Sequence, residues 1–311
     1  MGYLGMKHLF IINPTAGNGK ALRYKSIIED YFKDKNEKYD IEITERPGHA
    51  IEIVSNYDYS EECRVYSIGG DGTLNEVING LIDKNASLGI IPAGSGNDFV
   101  RSYLEDDNFK DILKRTIEGK SKDIDIGCIN NKYFINISAV GFPADVNKNA
   151  KAFKKKRIIP GPLAYIFGAI VSLFKFKYPK IKFIIDGIEL DEEMFLVALA
   201  NGKYYGGGII LAPDAEISDG ELEFYGVKKS NPYKIFKYLM AFLFGKDIRS
   251  IKETYYYKCK SLKIISEKEI ISNIDGEIIE SNEFDFDIVP KGIKLIIPNE
   301  EIGMEEEYEG V

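Results

Sequence analysis

Apolar and polar positions follow two periods along the amino-terminal part of the chain. Continuous apolar runs at 7–12, 64–68 and 88–91 read as buried strands, and 40–44, with Ile41 and Ile43 on one face, as a shorter strand. Between them, apolar residues recur three and four apart. The segment 21–32 carries Leu22, Ile27, Ile28, Tyr31 and Phe32, and 73–83 carries Leu74, Val77, Ile78 and Leu81. A further short helix is predicted after the Pro47-Gly48 turn, ending near Asn56. Repeated strand–helix units predict a parallel sheet covered by helices, with ligand loops at the carboxyl ends of the strands. Three glycine-bearing loops follow strands: Asn13-Pro14-Thr15-Ala16-Gly17-Asn18-Gly19, Gly69-Gly70-Asp71-Gly72-Thr73 and Pro92-Ala93-Gly94-Ser95-Gly96-Asn97-Asp98. All three are therefore expected on one edge of the sheet.

The pattern changes after about Asp123. Short strand-like runs dominate at 133–139, 181–185, 195–200, 221–227, 262–266, 270–274 and 284–289. Several alternate, as in Phe284-Asp285-Phe286-Asp287-Ile288, which suits a sheet with one buried face. Two apolar helices are predicted near 163–174 and 232–244, a last strand at 292–298, and a solvated acidic tail at 300–309. The expected organisation is an α/β domain over 1–128, to which 293–311 returns, and a mostly β domain of sandwich or barrel type over 129–292.

Composition narrows the class. The chain has 311 residues, 44% of them hydrophobic, which is enough for a sizeable core. A net charge of −8 argues against a general nucleic-acid binder. Cys63, Cys128 and Cys259 are scattered and odd in number, as expected of reduced cytosolic thiols, and His8 and His49 are too few for a histidine metal site or a Ser/His/Asp triad. The start lacks the pattern of a signal peptide. The longest apolar run, 158–174, is broken by Pro160, Gly161 and Pro162 and falls short of the roughly 20 residues of a spanning helix. Lysines and Arg157 flank it, so it reads either as a helix lying on an anionic membrane surface or as a buried helix beside a solvated charge run.

The chemistry concentrates in the string from Ser67 to Glu76. Glycine permits positive φ and close approach of a phosphate to main-chain amides, and the helix that follows presents unpaired N–H groups and a positive dipole end. A carboxylate within such a turn would repel phosphate unless a divalent cation bridged them, so Asp71 points to Mg²⁺. An ordinary strand-to-helix turn is the plainer alternative.

At this point the motifs resemble the soluble lipid kinases with a diacylglycerol kinase catalytic domain, which also include sphingosine and ceramide kinases; the bacterial diacylglycerol kinase branch is the best match. The resemblance runs in order through Asn13-Pro14-Thr15-Ala16-Gly17, Gly69-Gly70-Asp71-Gly72-Thr73-Leu74-Asn75-Glu76, Pro92 to Phe99, Asp123-Ile124-Asp125-Ile126-Gly127, Pro213 to Gly220 and Asp275-Gly276-Glu277. It implies an amino-terminal nucleotide-binding domain like those of NAD kinases and phosphofructokinases. ATP would lie on the loop from Asn13 to Gly17, on the residues from Gly69 to Glu76, and at Thr44 and Ser95. Where family members often carry a basic residue after the first loop, this chain has Asn18, with Lys20 two places on.

The same resemblance implies that Asp71, Asp98 and Asp125 organise the catalytic Mg²⁺, largely through water, and that Asp275 is the general base. It further implies a structural Mg²⁺ at Glu216, Asp219 and Glu221, with the side chain coming from Asp219. Plainer readings stand beside these: a helix cap for Asp98, an exposed edge carboxylate for Asp125, and hairpin turns at Asp275-Gly276 and at Ser218-Asp219-Gly220. The function implied is transfer of the ATP γ-phosphoryl group to a lipid alcohol, diacylglycerol first, giving phosphatidic acid. The rivals are an NAD kinase and a non-catalytic lipid- or nucleotide-binding regulator on the same scaffold. A cytoplasmic protein peripheral to the inner face of the membrane is expected, with a lipid alcohol as substrate, no nucleic acid partner, and a homodimer as the family pattern.

Overall fold

The computed structural model describes residues 6–104, 109, 111–141 and 180–302, so the apolar run at 158–174, its basic flanks and most of the acidic tail lie outside the described residues. The chain divides into two units, Met1–Ile126 with Pro290–Val311, and Gly127–Val289.

In the first unit, β1 (Lys7–Ile12), β2 (Lys38–Ile43), β3 (Cys63–Gly69) and β4 (Ala86–Pro92) lie parallel in the order β2-β1-β3-β4. Lys294 and Leu295 of the last strand pair in parallel with Ser87 and Leu88. These strands are apolar almost throughout because both faces are covered, and Leu9, Phe10, Ile11 and Ile12 are all fully buried. The helices α1 (Arg23–Phe32) and α3 (Asp71–Leu81) bury the predicted stripes: Tyr24, Ile28 and Phe32 on one, Leu74, Val77, Ile78 and Leu81 on the other. The shorter α2 (His49–Asn56) stands where the Pro47-Gly48 turn placed it. Helix α4 (Ile112–Ile117) was not predicted. Since β2 flanks β1 on one side and β3 on the other, the strand order reverses beside β1, and a crevice at the carboxyl ends of β1 and β3 follows from the topology.

His8 is the one polar side chain among those buried residues of β1. Its Nδ1 lies 2.9 Å from the Tyr66 hydroxyl, and its ring stacks on Tyr66. Burial, then the charges of Arg64 and Lys35, push its pKa down to about 4. Glu37, 3.7 Å from Nε2, is half exposed and does not offset the burial. The neutral ring is therefore the folded form. As pH falls from 7, the unfolded chain takes up this proton first, so stability should drop by on the order of 3 kcal/mol between about pH 6.5 and 4. Urea denaturation at pH 7 and pH 4.5 should show a smaller loss for His8→Phe than for the wild type.

Strand β5 (Lys120–Ile129), which holds Asp125 as the edge reading supposed, carries the chain into the second unit, where β6 (Lys132–Phe134), β7 (Ile137–Gly141), β8 (Lys180–Ile185) and β9 (Ile188–Ala200) follow. After the short pair β10 (Tyr204–Tyr205) and β11 (Ile209–Ile210) come β12 (Leu222–Lys228), the unpredicted β13 (Thr254–Cys259), β14 (Ser261–Ile274) and β15 (Glu277–Ile297). Pairing is antiparallel, and the long strands β9 and β14 are bridged twice, by β7 and by β8. One face of this layered sheet encloses Phe134, Phe183, Phe224, Phe284 and Phe286. The other packs Ala139, Ala198, Tyr225 and Val227 against Ile248 and against Ile235 of α5 (Pro232–Leu243). The runs predicted separately at 262–266 and 270–274 form one strand with an irregularity between Ile265 and Ile270. Those at 284–289 and 292–298 are also one strand. Among the described residues no helix is long and apolar enough to cross a membrane.

Candidate functional site

The three glycine loops of the first unit meet, as expected for loops at the same ends of adjacent parallel strands. Asn13 N–H donates to the Ile68 carbonyl (3.0 Å), and the Gly69 carbonyl accepts from Ala93 N–H (2.8 Å) and Gly94 N–H (3.0 Å). The Asn13 amide then fastens the first loop to α3: its Nδ2 donates to Thr73 Oγ1 (2.9 Å), while its Oδ1 accepts from the Thr15 N–H and hydroxyl. Two close approaches show why glycine stands here. Gly17 has φ +59° and a Cβ on it would lie 2.5 Å from the Ala93 carbonyl oxygen. A Cβ on Gly94 would lie 2.5 Å from the Gly70 Cα, backbone against backbone. Pro14, Ala16 and Thr15 lie at the partly or fully exposed rim, with Ser95 and Gly72. Thr44, buried, follows β2 and donates its N–H to the Ile12 carbonyl, so it sits beside the first loop.

Asp71 and Asp98 are brought together. Asp71 Oδ1 accepts the Asp98 N–H at 2.9 Å, and Asp98 is 8% exposed. Burial, then the neighbouring Asp98 charge, hold the Asp71 carboxyl above its ordinary pKa against the main-chain N–H groups of Asp98, Asp71 and Asn97 that pull it down. The two carboxyls stand together beside the glycine loops. Two carboxylates supplemented by water and phosphate oxygens suit Mg²⁺, which keeps much of its hydration. Among the described residues no three His, Cys, Asp or Glu side chains form a group able to hold a metal by themselves. Asp125 is 2% exposed and accepts the Lys291 N–H at 2.8 Å, so the exposed-edge reading is corrected. Asp98 begins no regular helix; a 3₁₀ turn follows only at Val100–Ser102.

Two residues of the central string turn elsewhere. Leu74 is a core side chain, 3% exposed. Glu76 accepts the N–H groups of Gly48 (2.8 Å) and Ala50 (3.2 Å), capping the start of α2. Asn75, also buried, takes the Asn79 side-chain amide on its main-chain carbonyl.

In the second unit Asp275 and Gly276, at φ +45° and +98°, form the two-residue turn between β14 and β15, with Ile274 opposite Glu277. The Asp275 carboxylate accepts three main-chain N–H groups: Ile135 (2.9 Å), Asn136 (3.2 Å) and Ile137 (3.0 Å). It clamps the break between β6 and β7, which is why the run predicted at 133–139 is two strands. The turn reading of Asp275-Gly276 is therefore present in the structure, and three of the roughly four lone-pair sites of the carboxylate expected to act as general base are engaged by main-chain N–H groups. Glu277, two residues on at the first position of β15, is exposed. Within the Asp275-Gly276-Glu277 motif its carboxylate has no hydrogen-bond partner among the described residues, a contrast with Asp275 that only the three-dimensional arrangement reveals.

Of Glu216, Asp219 and Glu221, the side chain expected to face a cation is that of Asp219, and it is engaged within the protein. Asp219 Oδ2 is 2.7 Å from the Lys258 ammonium and its Oδ1 accepts the Glu221 N–H. The lysine supplies the positive charge there, from the neighbouring strand β13.

Two family models cover most of the chain: the diacylglycerol kinase catalytic domain matches residues 7–129, and the YegS C-terminal NAD kinase beta sandwich-like domain matches 136–297. A diacylglycerol kinase of Staphylococcus aureus (strain JH9) is 31% identical over 304 residues, covering 95% of this chain and 93% of that one. The crystal structure of a candidate diacylglycerol kinase from Bacillus anthracis str. Sterne matches 95% of this chain and 96% of its own, with a TM-score of 0.75 and 26% identity. A second structure from that organism, at 23% identity and a TM-score of 0.69, shares the fold. With its glycine loops converged, its paired carboxyls and its β-sandwich second unit, the chain belongs to the diacylglycerol kinase family, a family of kinases.

Proposed function

We propose that the protein transfers the γ-phosphoryl group of ATP to the hydroxyl of a lipid alcohol, diacylglycerol before others, leaving ADP and phosphatidic acid. The observation that carries this reading is the backbone contact between Gly70 and Gly94 beside the Asp71–Asp98 pair. The amides of the loops 13–17 and 70–73 cradle the phosphates, and Thr44 and Ser95 add hydroxyls at the same edge. Asp71 and Asp98, with Asp125 as a third carboxylate, would hold Mg²⁺ there. The ion would neutralise charge on the phosphate oxygens. Phosphoryl transfer asks the protein for positioning and electrostatics, not for a covalent intermediate. The proton acceptor in this reading is Glu277, exposed beside a turn that Asp275 fastens to the N–H groups of 135–137.

Gly94→Ala should raise the KM for ATP by at least about tenfold, since only main-chain displacement relieves the clash with Gly70. An unchanged KM would mean that this crevice does not receive the phosphates. For the reading as a whole, purified protein with radiolabelled ATP is offered diacylglycerol, phosphatidylglycerol, sphingosine and NAD⁺ in parallel. Label in phosphatidic acid is expected; label in NADP⁺ alone, or in no acceptor, would overturn it.

A further inference from the structure

Helix α5 buries Ile235 against the second unit's core and turns another apolar face outward. Tyr233 is 79% exposed, Phe236 46% and Phe244 83%. At helical spacing they fall on one ridge with Met240, and Phe244, just past the helix end, still donates its N–H to the Met240 carbonyl (3.0 Å). A monomeric soluble surface rarely keeps three exposed aromatic side chains in one row.

The charge around the ridge is as informative. The segment 229–246 carries Lys229, Lys234, Lys237 and Lys246 and no acidic residue, in a chain whose net charge is −8. Lys229 and Lys234 are spent on Glu193 and Glu253. Lys237, on the helix, and Lys246, just past its end, have no ion-pair partner among the described residues and are exposed.

We propose that this outward face of α5 seats the protein on an anionic phospholipid bilayer. Tyr233, Phe236, Met240 and Phe244 enter the headgroup–acyl boundary, and Lys237 and Lys246 meet lipid phosphates. Aromatic side chains favour that boundary, and lysine can lay its methylene stem along apolar surface while its ammonium stays at the phosphates. A protein partner could also cover the aromatic ridge. The unpaired lysines beside it, on an otherwise acidic chain, favour an anionic sheet of charge, and the choice rests on the lipid-kinase reading, since an enzyme acting on a membrane-held alcohol must reach the membrane.

The test uses full-length protein and sedimentation with vesicles of phosphatidylcholine alone or mixed with phosphatidylglycerol, without ATP or diacylglycerol. Wild type should pellet with the mixed vesicles and much less with the neutral ones. Y233S/F236S/F244S should lower vesicle affinity at least about tenfold, with the melting temperature and the turnover of a water-soluble short-chain diacylglycerol unchanged. K237Q/K246Q should remove the preference for anionic vesicles. Wild-type protein that ignores vesicles, a triple variant that binds like wild type, or a lipid-free dimer that the triple variant splits would each overturn the proposal. Because short-chain substrate is assayed apart from vesicles, vesicle binding without lipid phosphorylation would sink the kinase reading and leave this surface standing, and the reverse result would do the opposite.

Discussion

Glu277→Gln is expected to cut lipid phosphorylation by about 10²–10⁴-fold while the KM for ATP stays near its wild-type value. A general base needs a lone pair that is not already committed. Asp275 has committed three of its roughly four lone-pair sites to main-chain N–H groups, and Glu277 keeps its carboxylate exposed at the start of β15. The glutamine retains length and shape, so a drop in turnover reports the missing proton acceptor. Asp275→Asn should behave differently. One asparagine nitrogen would face an N–H donor where a carboxylate oxygen now accepts, which costs about 1–3 kcal/mol for a buried unsatisfied group. The melting temperature should therefore fall in Asp275→Asn and hold in Glu277→Gln. Turnover lost in Asp275→Asn at unchanged stability, with Glu277→Gln silent, would return the base to Asp275.

The contrast between these two neighbours shows what the sequence could convey. Asp-Gly after a strand is a local signal, and the turn it predicts is there, because φ at two residues decides it. Where the Asp275 carboxylate goes depends on residues 135–137, far away in the chain, and no local pattern encodes that. The same divide runs through the first unit. Three glycine loops after three strands were legible because parallel βα units put strand ends on one edge, and their contact followed. Glu76 was read with the loop that contains it, yet its carboxylate caps α2, a helix that precedes it by a strand. Strand β13 escaped notice because Thr-Tyr-Tyr-Tyr-Lys-Cys has no clean alternation; its place at the sheet's end leaves several of its side chains only partly covered. Asp219 was read as a cation ligand without Lys258, since cross-strand neighbours are set by register, which joins Glu223 to Lys258.

Replacing Asp71 by asparagine should separate stability from activity. In the ligand-free protein, burial and the Asp98 charge raise the Asp71 pKa, so the folded state binds this proton more readily than the unfolded chain does. That raised pKa makes the ionised pair a cost to the fold above the ordinary carboxylate range, a cost relieved as pH falls. Asparagine removes the charge and can still offer Oδ1 to the Asp98 N–H, so the variant should melt at or above the wild-type temperature near pH 7. Activity should move the other way. Without the Asp71 charge the crevice holds Mg²⁺ less tightly, and the Mg²⁺ needed for half-maximal rate should rise by at least about tenfold, with kcat/KM for Mg-ATP falling by about 10²–10³. Strain kept at a site and released on mutation is the mark of a group retained for what it binds. A Mg²⁺ titration of Asp71→Asn that superimposes on the wild type would remove this carboxylate from the metal's path, and a lowered melting temperature would make it a structural anchor instead.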